Sequence, residues 1–201
     1  MAEIENKRVL GIHLPTDPRW ADMAAMNLED ILTDHAYCEQ KATTTCISLI
    51  QKHSDKPLLV QKLAPIVSEE WSHFRLVIKE LEKRGLQLGK QRKDEYVNQL
   101  LKFVRKGVTP ESNLLDKLLV CAMIEARSCE RFRLLSIELE EASLRSFYHK
   151  FMVSEAGHYK LFLELAAHYT NKEIMQERWQ ECLSFEANIV ANLKPRADRM
   201  H

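Results

Sequence analysis

The sequence predicts an all-α protein, a four-helix bundle with additional shorter helices, and three observations carry that expectation. Glycine and proline are scarce, five and six in 201 residues, and fall mainly near the N-terminus and between periodic segments. Long stretches are therefore free of the residues that most disfavour a helix. Apolar residues recur at helical spacing through most of the chain, and no stretch shows the two-residue alternation of a half-buried strand. A chain of this length buries most of its apolar surface without covalent staples. No low-complexity stretch or linker divides it, so residues 1–201 read as a single domain, with about 1–16 and about 190–201 peripheral.

Each element has a local reason. Asp17-Pro18 pairs an N-cap residue with proline at the first helical position, and a helical pattern follows to about His53. A second helix spans "DKPLLVQKLAPIVSEEWSHFRLVIKELEKRG", adjusted around Pro65 and closed by Gly85. "KDEYVNQLLKFVRKG" is a shorter helix ending at Gly107. Thr109-Pro110 opens a third long helix, a fourth covers roughly Glu141 to Tyr169, and a further short one runs from Asn171 to about Asn188. The tail "KPRADRMH" is expected to fray.

Composition narrows the function. The five cysteines, at 38, 46, 121, 129 and 182, include no C-x-x-C pair, which points to free thiols and not to a disulfide framework or a zinc knuckle. "MAEIENKRVLGIHLPTDPRW" has no apolar core of signal-peptide length, and no later run has the length of a membrane span. A soluble cytoplasmic protein with no membrane partner is expected. Net charge is zero, so a polyanion would have to be met by a local patch.

One pattern occurs twice. "EEWSHFRL" (69–76) and "SEAGHYKL" (154–161) both read Glu-x-x-His, aromatic, basic, leucine. Glu39 precedes Glu70 by 31 residues and Glu125 precedes Glu155 by 30. Residues seven apart share a helix face. Around Glu39 these are Leu32 and Cys46, around Glu70 Leu63 and Val77, around Glu125 Leu118 and Phe132, and around Glu155 Tyr148 and Phe162. Four glutamates thus fall on core-facing stripes of four helices, with His73 and His158 beside them. Bare buried carboxylates each cost on the order of several kcal/mol. Two divalent cations would cancel four such charges. One Glu from each of two helices plus Glu-x-x-His from each of two more is the ligand pattern of ferritin-like di-iron and di-manganese bundles. An oxygen-rich set with added imidazole suits iron or manganese better than zinc. The metal candidates are Glu39, Glu70, His73, Glu125, Glu155 and His158.

Their neighbours admit plainer readings. Glu69 is expected in solvent, and Glu130 leaves the apolar stripe. His35, one turn before Glu39, is either a support for that glutamate or a satisfied core histidine. His13, His53, His149, His168 and His201 are read as surface residues. Thr43 and Cys129, each one turn after a candidate ligand, are either small pocket residues or ordinary packing.

"DHAYCEQKA" (34–42), "EEWSHF" (69–74), "IEARSCERF" (124–132) and "SEAGHYKLF" (154–162) together resemble the bacterial tRNA hydroxylase family that acts on 2-methylthio-N6-isopentenyladenosine beside the anticodon. The resemblance covers roughly residues 10–190. It implies a ferritin-like domain in which the six candidates are iron ligands and form the catalytic centre. It also implies two iron ions, dioxygen as co-substrate, an external donor such as a reductase or ferredoxin, and hydroxylation of the isopentenyl side chain in tRNA. "KRGLQLGKQRK" (83–93) adds five basic residues and no acidic one, giving Lys83, Arg84, Lys90, Arg92 and Lys93 as RNA-binding candidates. A solvated loop is the alternative there, and solvated or salt-bridged helix surface is the reading for Arg127, Arg131 and Arg133. Two other function classes stay open: a di-iron oxygenase or oxidase of a small molecule, and a ferritin-like iron-binding protein.

Overall fold

The computed structural model describes residues 9–194 and 196–200. The described residues contain seven α-helices and no strand, and none of the helices is long and apolar enough to cross a membrane. The helices are α1 (Arg19–Ala25), α2 (Leu28–Lys52), α3 (Pro57–Lys83), α4 (Glu95–Leu100), α5 (Pro110–Glu138), α6 (Ala142–Tyr169) and α7 (Lys172–Asn192). Backbone contacts group the chain into two compact units. One comprises Met1–Asp22 with Asp94–Pro195 and His201, the other Met23–Lys93 with Arg196–Met200.

In the Met23–Lys93 unit, α2 and α3 pack on each other across a short connection, which makes them antiparallel neighbours. Leu32, Leu49, Leu59, Leu63, Val77 and Leu81 are buried, each contributing about 1.5–3 kcal/mol relative to exposure. The proline expected to disturb the second helix does not break it, as α3 runs through Pro65. It ends at Gly85 (φ +69°), where Leu86 N–H donates to Leu81 O and Gly85 N–H to Glu82 O. This is the paired C-terminal closure that needs the left-handed backbone glycine adopts most readily. Beyond it the chain is pinned to α2, since Gly89 N–H donates to Thr33 Oγ1 and Tyr37 Oη–H to the Gly89 carbonyl.

In the other unit, α5 and α6 form the larger pair and α7 packs on α5. Thr109 caps α5, its hydroxyl oxygen accepting from Ser112 N–H at 3.2 Å. Asn171 caps α7 through Glu173 and Ile174 N–H. Phe132 stacks with Tyr148 at 5.7 Å between centroids and meets Phe151 at 5.6 Å.

The structure corrects several expectations. The first long helix is two, broken at residues 26–27, where Asn27 leaves helical geometry and its amide donates to Met23 O. α4 stops at Leu100 and passes into a 3-10 turn, Leu101–Phe103. α7 runs to Asn192. Neither end is wholly peripheral: Ile12 and Thr16 are buried, as are Arg199 and Met200, and Met200 N–H donates to Asp34 at 2.8 Å. Residues 1–8, Pro195 and His201 lie outside the described residues. His53 is buried and not at the surface. Arg127 is fully buried, with Glu130 and Glu186 as ion-pair partners.

Candidate metal centre

Each unit carries one copy of the same triad. In the Met23–Lys93 unit, α2 presents Glu39 and α3 presents Glu70 and His73, all buried. Each offers a ligand atom within 4.8 Å of the others. His73 Nδ1 is 3.5 Å from Glu39 Oε2 and 3.4 Å from Glu70 Oε2. In the second unit, α5 presents Glu125 and α6 presents Glu155 and His158, again buried and within 4.8 Å of one another. His158 Nδ1 lies 3.6 Å from Glu155 Oε2. The local reason is helical phase. All eight residues seven positions away from the four glutamates are buried, so the stripe that seals each helix pair turns the carboxylates inward as well.

The donor chemistry fits a divalent metal. With bonds of about 2.0–2.2 Å, two donors on one ion stand at most roughly 4.4 Å apart, and the three His–Glu distances of 3.5, 3.4 and 3.6 Å fall inside that limit. Two carboxylates crowded in a buried place repel each other unless a proton or a cation intervenes. Iron or manganese suits a Glu-rich set with one imidazole per triad.

Supporting contacts are asymmetric. His35 is fully buried and its Nε2 lies 2.7 Å from Glu39 Oε1, a contact that fits both of its sequence readings. Thr43 is buried and donates to the Glu39 carbonyl. Cys129 is buried with its thiol on the Met152 carbonyl, and burial, reinforced by Glu155 and Glu130, pushes its pKa up to about 12. Glu69 is exposed, whereas Glu130 is buried in the Arg127 cluster, accepting from Thr16 N–H at 2.8 Å and Thr16 Oγ1–H at 2.6 Å. Sequence reasoning missed that cluster because its partners are far apart in the chain.

The basic segment divides in two. Arg84 pairs with Glu80 at 2.7 Å. Arg92 donates to Asp30 Oδ1 at 2.8 Å, to Asp198 Oδ2 at 3.2 Å and to both backbone carbonyls. These two arginines therefore hold the segment in place. Lys83, Lys90 and Lys93 are exposed.

Long antiparallel helices that carry Glu and Glu-x-x-His triads are the arrangement found in carboxylate-bundle metalloproteins. The solved structure described as "Protein 43 with aldehyde deformylating oxygenase activity from Synechococcus" superposes with a TM-score of 0.89 and 31% identity, covering 94% of both chains. The fold is the ferritin-like four-helix bundle with additional shorter helices. The model of the family described as "tRNA-(MS[2]IO[6]A)-hydroxylase (MiaE)" matches residues 4–201. A Pseudomonas putida (strain KT2440) protein named tRNA 2-(methylsulfanyl)-N(6)-isopentenyladenosine(37) hydroxylase is 38% identical over 155 residues, 77% of this chain and 74% of that one. A Salmonella typhimurium (strain LT2) protein of the same name is 30% identical over 213 residues, 81% and 77% of the two chains. The chain belongs to the MiaE family of tRNA hydroxylases.

Proposed function

We propose that this protein hydroxylates the isopentenyl side chain of 2-methylthio-N6-isopentenyladenosine in tRNA. It does so in the cytoplasm, with two iron ions, dioxygen and electrons from an external reductase or ferredoxin. The single observation that carries the reading is the buried Glu and Glu-x-x-His triad recurring in both units of a chain that belongs to this family.

Glu39, Glu70, His73, Glu125, Glu155 and His158 are the residues that would hold the two ions. Iron, when bound, supplies the reduction of dioxygen that oxidises a substrate C–H bond. In balance, one oxygen atom enters the new C–OH group. The other leaves as water, with two electrons from the donor and two protons from solvent. The chain's residues set the conditions. Four carboxylates match the charge of two divalent cations. His35 holds Glu39 Oε1, which leaves Oε2 on the side of His73. Burial of all six groups excludes bulk water, which would otherwise compete for the oxidant. Thr43 and Cys129 serve as small pocket residues and not as proton donors, because each hydrogen is committed to a backbone carbonyl.

The name of the Synechococcus structure favours a second reading, an oxygenase of a small molecule with no RNA partner. Nucleoside analysis of tRNA from cells lacking and regaining the gene separates the two. The proposal expects the hydroxylated nucleoside to vanish, its unhydroxylated precursor to accumulate, and both changes to reverse on restoration. Unchanged tRNA nucleosides would favour the small-molecule reading.

A further inference from the structure

The helix that supplies Glu70 and His73 to the candidate centre carries a second ordered set of residues on its outside. Trp71, Arg75, Lys79 and Lys83 follow at four-residue intervals on α3 and form a single ridge along it. All four are exposed, with Trp71 45% accessible. At 1.5 Å per residue the ridge is about 18 Å long. Phe74 stacks on Trp71 with centroids 4.8 Å apart and planes 20° apart, so one side of the indole is backed by a ring. Arg75 and Lys79 take part in no ion pair among the described residues, and Lys83 stands 3.7 Å from Glu80, which is already held by Arg84 at 2.7 Å.

A large aromatic left in water costs free energy, and three cations in file on one helix ridge repel each other. A ligand that is flat, apolar in its faces and anionic along its edge would relieve both. Single-stranded RNA has that character: bases stack on aromatic side chains while phosphates track a basic strip. A protein partner would be expected to find acidic and basic residues interspersed, and this ridge holds no acidic residue. The ridge begins at the level of Glu70 and His73, whereas the candidate segment at 83–93 begins where the ridge ends.

Building on the tRNA reading above, we propose that this ridge seats the single-stranded loop of the substrate tRNA, with a base stacked on Trp71 and phosphates on Arg75, Lys79 and Lys83. The ridge thereby runs the RNA backbone from the C-terminal end of α3 back to the middle turns that bear Glu70 and His73.

The test uses iron-loaded full-length protein and an anticodon stem-loop RNA bearing 2-methylthio-N6-isopentenyladenosine. Of the three tryptophans, Trp20 and Trp179 are buried, so quenching of the accessible emission reports on Trp71. RNA should quench it and shield it from acrylamide. Trp71→Ala should weaken binding by about 5- to 150-fold, the range expected for loss of one aromatic–base stack, and Trp71→Phe should restore most of it. Replacing Arg75, Lys79 and Lys83 together with Gln should reduce the slope of log affinity against log salt by about 2, at about 0.7 per phosphate contact. Iron stoichiometry and the unfolding midpoint should match the parent in every variant. If the parent modifies tRNA and these variants bind the RNA with parental affinity and slope, the ridge is not the RNA seat, though the hydroxylase reading stands. If they bind RNA normally but accept electrons poorly from the donor, the ridge belongs to that protein, and the proposal is overturned. A parent that neither binds nor modifies tRNA overturns both.

Discussion

Glu70→Gln is expected to strip iron from the protein while leaving the metal-free fold at least as stable as the parent's. The substitution keeps the side-chain volume and removes one carboxylate from a buried pair that stands beside His73. Six ligands for two ions give about two irons per chain in the parent after anaerobic reconstitution. Glu70→Gln and Glu155→Gln should each fall below half of that. Without metal, the crowded carboxylates must share protons or repel, so removing one charge relieves the apo state. Iron present at a hundred times its dissociation constant stabilises by about 2.7 kcal/mol per site. For a chain of this size that raises the unfolding midpoint by roughly 5–10 °C for each ion bound. The parent should therefore gain thermal stability from iron and lose it to a chelator, and the variants should show less than half of either response. Zinc at one equivalent with iron rejected, or a midpoint indifferent to chelation, would remove the two-metal site.

The second large effect is on folding. Arg127 is fully buried, donating to Glu186 Oε1 at 2.9 Å, to Glu130 Oε2 at 2.5 Å, to Thr16 Oγ1 at 3.1 Å and to the Leu14 carbonyl at 2.8 Å. Burial works against its charge, but Glu186 and Glu130 outweigh that and hold its pKa above the usual arginine value. Tyr96 shares Glu186, and burial together with that carboxylate raises its phenol well above the ordinary range. The cluster ties the segment before α1, the middle of α5, the start of α4 and α7 into one unit. Removing only the arginine leaves two carboxylates buried without their cation. Arg127→Met should cost about 3–5 kcal/mol, a drop of about 6–20 °C in the unfolding midpoint. Adding Glu130→Gln and Glu186→Gln should recover a good part of that, because a neutral cluster no longer carries uncompensated charge. Denaturant unfolding of the single and triple variants measures this. A single variant within about 0.5 kcal/mol of the parent would show that the cluster contributes little.

What could be seen in the sequence depended on range. The triads were visible because a ligand and its apolar neighbours lie within seven residues on one helix, and those neighbours are buried as the periodicity requires. Caps were visible for the same reason: Thr109, Asn171 and Gly85 act on residues one to four positions away. The break before α2 was hidden, because Asn27 interrupts a pattern whose apolar spacing continues on both sides. Arg127 read as helix surface because Thr16 and Glu186, which bury it, are 111 and 59 residues distant. The end of the chain read as frayed because its anchor, Asp34, is 166 residues from Met200. Arg84 and Arg92 read either as RNA-binding candidates or as part of a solvated loop, and their carboxylate partners Glu80, Asp30 and Asp198 show only in the folded chain.

The most direct measurement of the central claim is isotopic. Iron-loaded protein is incubated with tRNA carrying 2-methylthio-N6-isopentenyladenosine, a reductant with an electron carrier, and heavy-oxygen-labelled dioxygen, and the digested nucleosides are weighed. The account predicts one labelled oxygen atom in the isopentenyl side chain, no label when only the water is heavy, and no product from Glu70→Gln. An unmodified nucleoside from fully iron-loaded protein, or a hydroxyl oxygen drawn from water, would contradict it.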